Sequence, residues 1–467
     1  MMLAGGDKIS DLFVALRRAR AYLHERMNTE SALKTQIVVV GGGAGGLELV
    51  KKLGTRFSRK HFDIILVEPH QTHVWKPLLH EVAAGSLDAN LDEVGYRAHA
   101  RRWGYRFFQG KLEGIDRDLR RVILAPLLDE DGVEIIGRQM LRYDYLVIAV
   151  GSVTNSYRTP GADQFCIFLD DREEADRFRM KLLNQCLRVS RQMSDDPGSD
   201  AHVRVAIVGG GATGVELAAE LYNAAAGLRF YGLEVFDESR LAITLIEAGP
   251  RILPQLPEKL ADAAREELEA LGVRVLTNAL VSEVRGDGVV IADGKVVAAD
   301  LRVWAAGVKA ADYLKDIGDL ETGRDNRLVV KQTLQTTRDE RIFALGDCCA
   351  CPQPGSDKSV PPRAQAAHQM ADTVFSNLCR AVSDDALVSF KYRDFGSLVS
   401  LSHYSTVGSL MGGLIGGRLA IEGRLARFVY VSLYQMHLLA IHGWLRGLAM
   451  IAIGHVNHVI RPRLKLH

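Results

Sequence analysis

Twice in this chain a hydrophobic strand runs straight into three glycines spaced G-x-G-x-x-G and then into a helix pattern. The first copy is Ile37-Val38-Val39-Val40 followed by Gly41, Gly43 and Gly46, and the second is Val203 to Val208 followed by Gly209, Gly211 and Gly214. Each glycine has a separate job: the first makes the tight turn, the second lets backbone approach a pyrophosphate, and the third packs helix against strand. The helix N-terminus then offers free N–H groups and its positive dipole end to an anion. An acid should close the next strand and hold a ribose hydroxyl. Glu68 does so 22 residues past Gly46, and Glu247 ends the corresponding strand of the second copy. One glycine turn alone is a weak signal. Strand, glycines, helix, strand and acid, in that order and twice over, predict two dinucleotide-binding units on one chain.

The copies continue in parallel. A β-meander is expected from Arg120 to Gly137, turning at Asp131-Gly132, and a second one turning at Asp293-Gly294. Each leads to a strand that ends in small residues, where backbone can approach a ligand: Tyr143 to Gly151, and Leu301 to Gly307. A third such strand, Arg341 to Ala344, runs into Gly346-Asp347, which offers an N–H and a carboxylate to a polyol. The fold class that follows is α/β, with two Rossmann-like domains that each carry a meander. Between them, residues 170–202 read as a helix and then a polar seam at Ser194–Ser199.

Composition removes alternatives. A chain of 467 residues exceeds one core, and 47% apolar with 25% charged residues describes a globular protein. A formal net charge of +1 gives no basic field for nucleic acid. No cysteine precedes Cys166, so a C-x-x-x-x-C thiol relay beside the first glycine turn is excluded. Cys348, Cys349 and Cys351 have no second ligand pair at zinc spacing and read as buried thiols, so no metal site is assigned. His73 and His80 read as structural histidines.

The two ends differ from the middle. Asp11 to Arg26 forms a basic amphipathic pattern inside a 34-residue extension. It reads as a disordered extension or an upstream start ahead of Met27, with a membrane-surface helix as the alternative. Residues 390–423 read as short strands with glycines. Phe428 to Leu445 is an uncharged run of 18 residues, long enough to raise a membrane span, but its polar residues favour a buried or interfacial helix. Trp444 to Ile460 presents an apolar face (Leu445, Leu448, Ile451, Val456, Val459) and an interface-type tryptophan, with Arg461, Arg463 and Lys465 beyond it. That pattern suits a helix lying in the headgroup layer of an anionic membrane, or a dimer interface.

From about residue 35 onward these motifs resemble the type II (single-subunit, non-pumping) NADH:quinone oxidoreductases of the two-dinucleotide-binding flavoprotein superfamily. The likeness is carried by Trp75-Lys76-Pro77-Leu78-Leu79-His80-Glu81-Val82-Ala83-Ala84-Gly85, by Gly209 to Glu216, by Pro361 to Gln369 and by the ending Arg461 to His467. The resemblance implies FAD on Gly41, Gly43, Gly46 and Glu68, with Lys76, Gly151, Gly346 and Asp347 beside it. It implies NADH as substrate on Gly209, Gly211, Gly214, Glu247 and Gly307. Glu216 would lie beside the nicotinamide. Gln365 and Gln369, at i and i+4 on one helix face, would line a quinone tunnel. Arg251, four residues past Glu247, leaves NADPH open.

The implied division is an extension over 1–34, an FAD-binding domain over 35–160 and 321–388, an NADH-binding domain over 161–320, and a dimerisation and membrane-anchoring region over 389–467. The implied enzyme is a respiratory homodimer, peripheral or monotopic on the cytoplasmic face of a bacterial inner membrane, passing a hydride from NADH to FAD and two electrons to a membrane quinone. Two alternatives stay open: a ferredoxin-reductase-like or sulfide:quinone-type flavoprotein, and a non-catalytic NADH sensor.

Overall fold

The computed structural model describes residues 34–228, 236, 238–355, 358–401, 405–412 and 417–460. The N-terminal extension, most of the aromatic insertion after Leu228 and the basic end from Arg461 lie outside them. Two five-stranded parallel sheets carry the chain. In the first the order is 342–344, 145–148, 35–40, 62–68, 106–109, so the strand before the first glycine turn is central. In the second the order is 167–168, 301–304, 203–208, 241–246, 274–276, and the strand before the second glycine turn is again central. Val38 is held between Leu146 and Ile65, and Val208 between Trp304 and Ile246. A strand covered on both faces has no solvent side, which is why both central strands are near-continuous β-branched runs. Ile37, Val38 and Val39 are wholly buried, and burying each such side chain contributes about 1.5–3 kcal/mol.

Each sheet has its antiparallel meander. The first is built from Leu112–Asp116, Arg121–Leu124 and Gln139–Arg142. It is wider than the expected span, and the Asp131-Gly132 turn belongs to a separate hairpin between Leu127–Leu128 and Glu134–Ile136. The second meander is Val281–Arg285, Gly288–Ile291 and Val296–Ala298, turning at Gly294 as expected. The polar stretch Ser194–Ser199 is not a seam. Before it, strand Ile167–Phe168 already pairs with Leu301–Trp304 of the second sheet, and after it Val203–Val208 is the central strand of that same sheet.

The C-terminal part begins with a three-stranded antiparallel sheet, Gly396–Leu401, Ser405–Gly412 and Gly417–Glu422. Two helices follow, Gly423–His442 and Trp444–Ile460. The uncharged run is therefore broken at Gly443, which takes a left-handed φ of 78°. Among the described residues no helix is long and apolar enough to cross a membrane. The elbow is fixed from the first unit. Lys51 Nζ donates to the Ala440 carbonyl and His99 Nε2 to the Ile441 carbonyl at 2.9 Å, satisfying two carbonyls that a helix end leaves orphaned. Burial pulls His99 down to about 4, so its neutral ring accepts at Nδ1 from Tyr105 O–H, 2.8 Å away.

A Cβ at Gly443 would lie 3.1 Å from the Trp103 ring in a conformation that costs other residues about 1–2 kcal/mol. Gly443→Ala should therefore raise amide exchange across residues 439–447 by about tenfold, the opening-rate equivalent of that energy. Exchange in the two sheet cores should stay unchanged; a rise spread evenly over both sheets would refute a local elbow effect.

Candidate active site

The two glycine turns are built alike to the level of single atoms. Gly41 and Gly209 have φ of 106° and 114°. A Cβ on Gly46 would sit 1.9 Å from the Gly41 carbonyl oxygen, and one on Gly214 would sit 2.1 Å from that of Gly209. By contrast, a Cβ on Gly43 or Gly211 would meet nothing within 4 Å. Two glycines in each turn are thus required by packing, while the middle one borders open space, as a pyrophosphate seat demands. The Gly42 N–H donates to Glu68 Oε2 and the Gly210 N–H to Glu247 Oε2, both at 2.7 Å, so each strand-end acid braces its own turn. Glu247 also accepts from the Gly249 N–H, while the Arg251 guanidinium is spent on the Leu256 and Pro254 carbonyls.

The small-residue strand ends converge on Asp347. Gly151 and Gly346 have positive φ, and a Cβ on Gly151 would meet nothing within 4 Å. Gly307 differs, since Tyr157 covers its Cα. The Asp347 carboxyl accepts from Ser152 Oγ at 2.8 Å, and burial holds its pKa above the usual aspartate range. Lys76 Nζ donates to the Ser152 carbonyl at 2.9 Å and to Asp170 at 3.2 Å, which brings it to the same corner. A cavity of ≈ 110 Å³ lined by Ser152, Val308, Arg327, Asp347 and Pro362 opens there, between the strand ends of the two units. A buried, partly desolvated carboxyl beside glycine backbone fits the polyol and ring of a bound flavin.

Glu216 lies where three parts of the chain meet. Its helix, Ala212–Leu228, starts at the second glycine turn. The short helix Leu79–Ala84 of the first unit packs on it, and the Ser400 N–H of the C-terminal sheet donates to Glu216 Oε1 at 3.1 Å. Burial, reinforced by Glu81 and Glu220, pushes Glu216 up to about 8, so it is a neutral acid at physiological pH. His80 Nδ1 stands 3.7 Å from Glu216 Oε2, and burial pulls that imidazole down to about 4. His80 is thus a buried, neutral histidine, as a structural role requires, and it lies beside Glu216. The available signal was its helical spacing from Lys76 in the W-K-P-L-L-H stretch. His73, in contrast, is a packed core residue, with Nε2 3.0 Å from Nε2 of His437.

Gln365 and Gln369 do share a face of the helix Ala364–Val382, and the structure uses both amides as struts. Gln365 bonds the Gly396 carbonyl and the Phe395 N–H, and Gln369 bonds both backbone groups of Arg393. The cysteine cluster is free thiols. Burial pushes Cys348 up to about 12, Cys351 to about 11 and Cys349 well above its ordinary value, so none is a ready thiolate.

Two substitutions separate ligand space from packing. Gly43 has extended backbone, so Gly43→Ala should leave thermal stability of the flavin-free chain within about 0.5 kcal/mol while flavin retention falls. Gly46→Ala should lower both; equal losses in the two variants would refute the assignment. The raised Glu216 pKa also has a sign. Protonated in the fold, Glu216 costs stability as pH rises from its unfolded value near 4.5 to about 8, by about 1.4 kcal/mol per unit at most. Glu216→Gln should therefore gain melting temperature over the wild type progressively across that window, and a pH-independent difference would refute the neutral acid.

Comparison with known proteins agrees with this geometry. The pyridine nucleotide-disulphide oxidoreductase family matches residues 35–371. The type II NADH:quinone oxidoreductase of Haemophilus influenzae is 45% identical over 442 residues, covering 92% of this chain and 99% of that protein. Its counterpart in Staphylococcus aureus (strain NCTC 8325 / PS 47) is 28% identical over 394 residues, covering 83% and 92%. Among solved structures, NDH2 from Plasmodium falciparum in complex with NADH superposes with a TM-score of 0.76, at 21% identity and over 92% of this chain and 100% of that one, which supports the fold. With two matching dinucleotide seats and a relative this similar along almost its whole length, the chain belongs to the type II NADH:quinone oxidoreductases.

Proposed function

We propose that this chain oxidises NADH and delivers the two electrons through FAD to a quinone, without pumping protons. The observation that carries the reading is the pair of identically built glycine turns, each with an open middle glycine and a braced strand-end acid, set around one buried carboxyl corner. FAD, once bound, supplies the two-electron relay between the two substrates. Gly41, Gly43, Gly46 and Glu68 would hold its dinucleotide half, and Lys76, Gly151, Gly346 and Asp347 the half nearer the chemistry. Gly209, Gly211, Gly214 and Glu247 would seat NADH, with Gly307 at the rim. Glu247 with Arg251 turned away favours a free ribose hydroxyl over a 2′-phosphate, hence NADH over NADPH.

Glu216 would orient the nicotinamide as a neutral acid, with His80 and the Ser400 N–H fixing its position. Gln365 and Gln369 would shape the quinone tunnel by anchoring the 393–396 backbone as its wall. The protonated, buried thiols speak against sulfide chemistry at 348–351. The division at residues 35–160, 161–320, 321–388 and 389–467 is retained in this reading, as is a homodimer. So is attachment to the cytoplasmic face of a bacterial inner membrane through Trp444–Ile460. Support for the attachment is the exposure of Trp444, Leu445, Leu448, Ile453 and Val456 on one helix.

The test is NADH consumption by flavin-loaded protein in liposomes, with and without a short-chain quinone, repeated with NADPH. Quinone-dependent loss of NADH with little NADPH activity is expected. Glu216→Gln should keep its flavin content but slow flavin reduction by NADH, at least tenfold if the orientation is worth about 1.4 kcal/mol. Flavin reduction without quinone turnover would exclude quinone as the acceptor.

A further inference from the structure

The Gly443 elbow gathers three positive charges, of which only Lys51 has a carboxylate, Glu48, acting on it among the described residues. Arg102, on the helix Tyr96–Trp103 of the first unit, lies over the Trp103 ring at 5.0 Å, and Lys51 Nζ lies over the same ring at 4.7 Å. Trp103 in turn packs on Gly443. Arg446 follows three residues later on the next helix, and Arg102 and Arg446 are both exposed, with no carboxylate in ion-pair range among the described residues. Two side chains register the resulting potential. His442 is held low first by burial and then by Lys51, Arg102 and Arg446; Lys51 is held low by burial, against the pull of Glu48, with Lys52 and Arg102 adding to the lowering. Two buried nitrogens at the same place, Trp103 Nε1 and His442 Nε2, have no hydrogen-bond partner among the described residues. Beside this charge, Trp444 and Leu445 are 71% and 79% exposed, and Leu448 follows one turn on.

From this arrangement we infer that Lys51, Arg102 and Arg446 form a seat for the phosphate of an anionic phospholipid headgroup, with the lipid's acyl chains meeting the adjoining apolar face of Trp444 and Leu445. The inference rests on the membrane-surface reading above and deepens it. An apolar helix alone binds any bilayer, whereas this seat makes binding selective for anionic lipid and brings a helix of the flavin-binding unit into contact with the membrane. The juxtaposition of Arg102 and Arg446, without a carboxylate partner among the described residues, and bare apolar side chains matches a phospholipid at both ends; a free phosphate or a nucleic acid would leave the apolar half unused. Because Lys51 belongs to the helix Ala44–Arg56 that starts at the first glycine turn, the headgroup would press on the element that carries the flavin pyrophosphate.

The experiment measures binding of the full-length, flavin-loaded protein to vesicles of phosphatidylcholine, alone or mixed with phosphatidylglycerol. Wild type should prefer the anionic vesicles, and the preference should shrink with added salt. Arg102→Gln/Arg446→Gln should lose about fivefold per arginine, about 25-fold together, on anionic vesicles only. Its flavin content and its activity with a water-soluble quinone should be unchanged. A control with the same net charge, Arg121→Gln/Arg274→Gln, should keep the preference. Retention of the preference in the first variant, or equal loss in the control, would overturn the seat. Wild-type binding to both vesicles equally would also overturn it while leaving the membrane reading intact. Binding to neither vesicle would remove the membrane reading and the seat with it. Leu445→Ser/Leu448→Ser, by contrast, should weaken binding to both kinds of vesicle.

Discussion

The structure depends on a contact that only glycine permits: the carbonyl of the first glycine in each turn lies where a Cβ of the third would be. That approach lets the helix start directly at the strand end, with its unpaired N–H groups facing outward. The strand-end acid then bonds the backbone of the same turn, so each seat is rigid before any ligand arrives. Repeating the device leaves one problem, which is how to face two rigid seats toward each other. The chain solves it with a short antiparallel pairing of Val153–Thr154 with Val308–Lys309, and with the helix Leu79–Ala84 that crosses onto the second unit.

The carboxylates divide by environment. Glu68 and Glu247 each accept from backbone N–H groups of their own turns. Glu216 has one N–H partner, two acidic neighbours and little access to water, which suits a proton held in place. A neutral acid next to a cofactor seat adds no negative charge against a dinucleotide that already carries several. The same logic makes the neutral His80 a compatible neighbour, since the positive charge of an imidazolium there would favour the ionised form of Glu216.

Much of this was legible in the sequence because it is local. The β-branched runs, glycine spacings and closing acids are each set within about thirty residues, and the structure places both sheets and both turns as those patterns imply. What the sequence hid was tertiary. Nothing near Gln365 or Gln369 announces that their amides will be taken by backbone at 393–396. Nothing near Glu216 points to Ser400, and His80 lies 136 positions from its acid. The uncharged stretch before Trp444 reads as continuous because hydropathy does not see φ; the break comes from Gly443 packing on Trp103 and from two caps sent by the first unit. The polar loop at Ser194–Ser199 misled for a similar reason, since its composition resembles a boundary while the strands on either side, Ile167–Phe168 and Val203–Val208, lie in one sheet.

The first sheet is completed by Ile342–Ala344, yet its neighbour Tyr145–Ile148 is made before the whole second unit. On a ribosome that emits the chain from its N-terminus, the second unit is contiguous and can close as soon as Leu301–Trp304 emerges. The first sheet must wait with an open hydrophobic edge, the kind of surface that recruits chaperones or stray strands. The order in which the sheets can close therefore runs against chain order: the sheet written later can be completed first. The flavin-binding unit gains its last parallel strand only when the chain returns to it, after the second unit has been made.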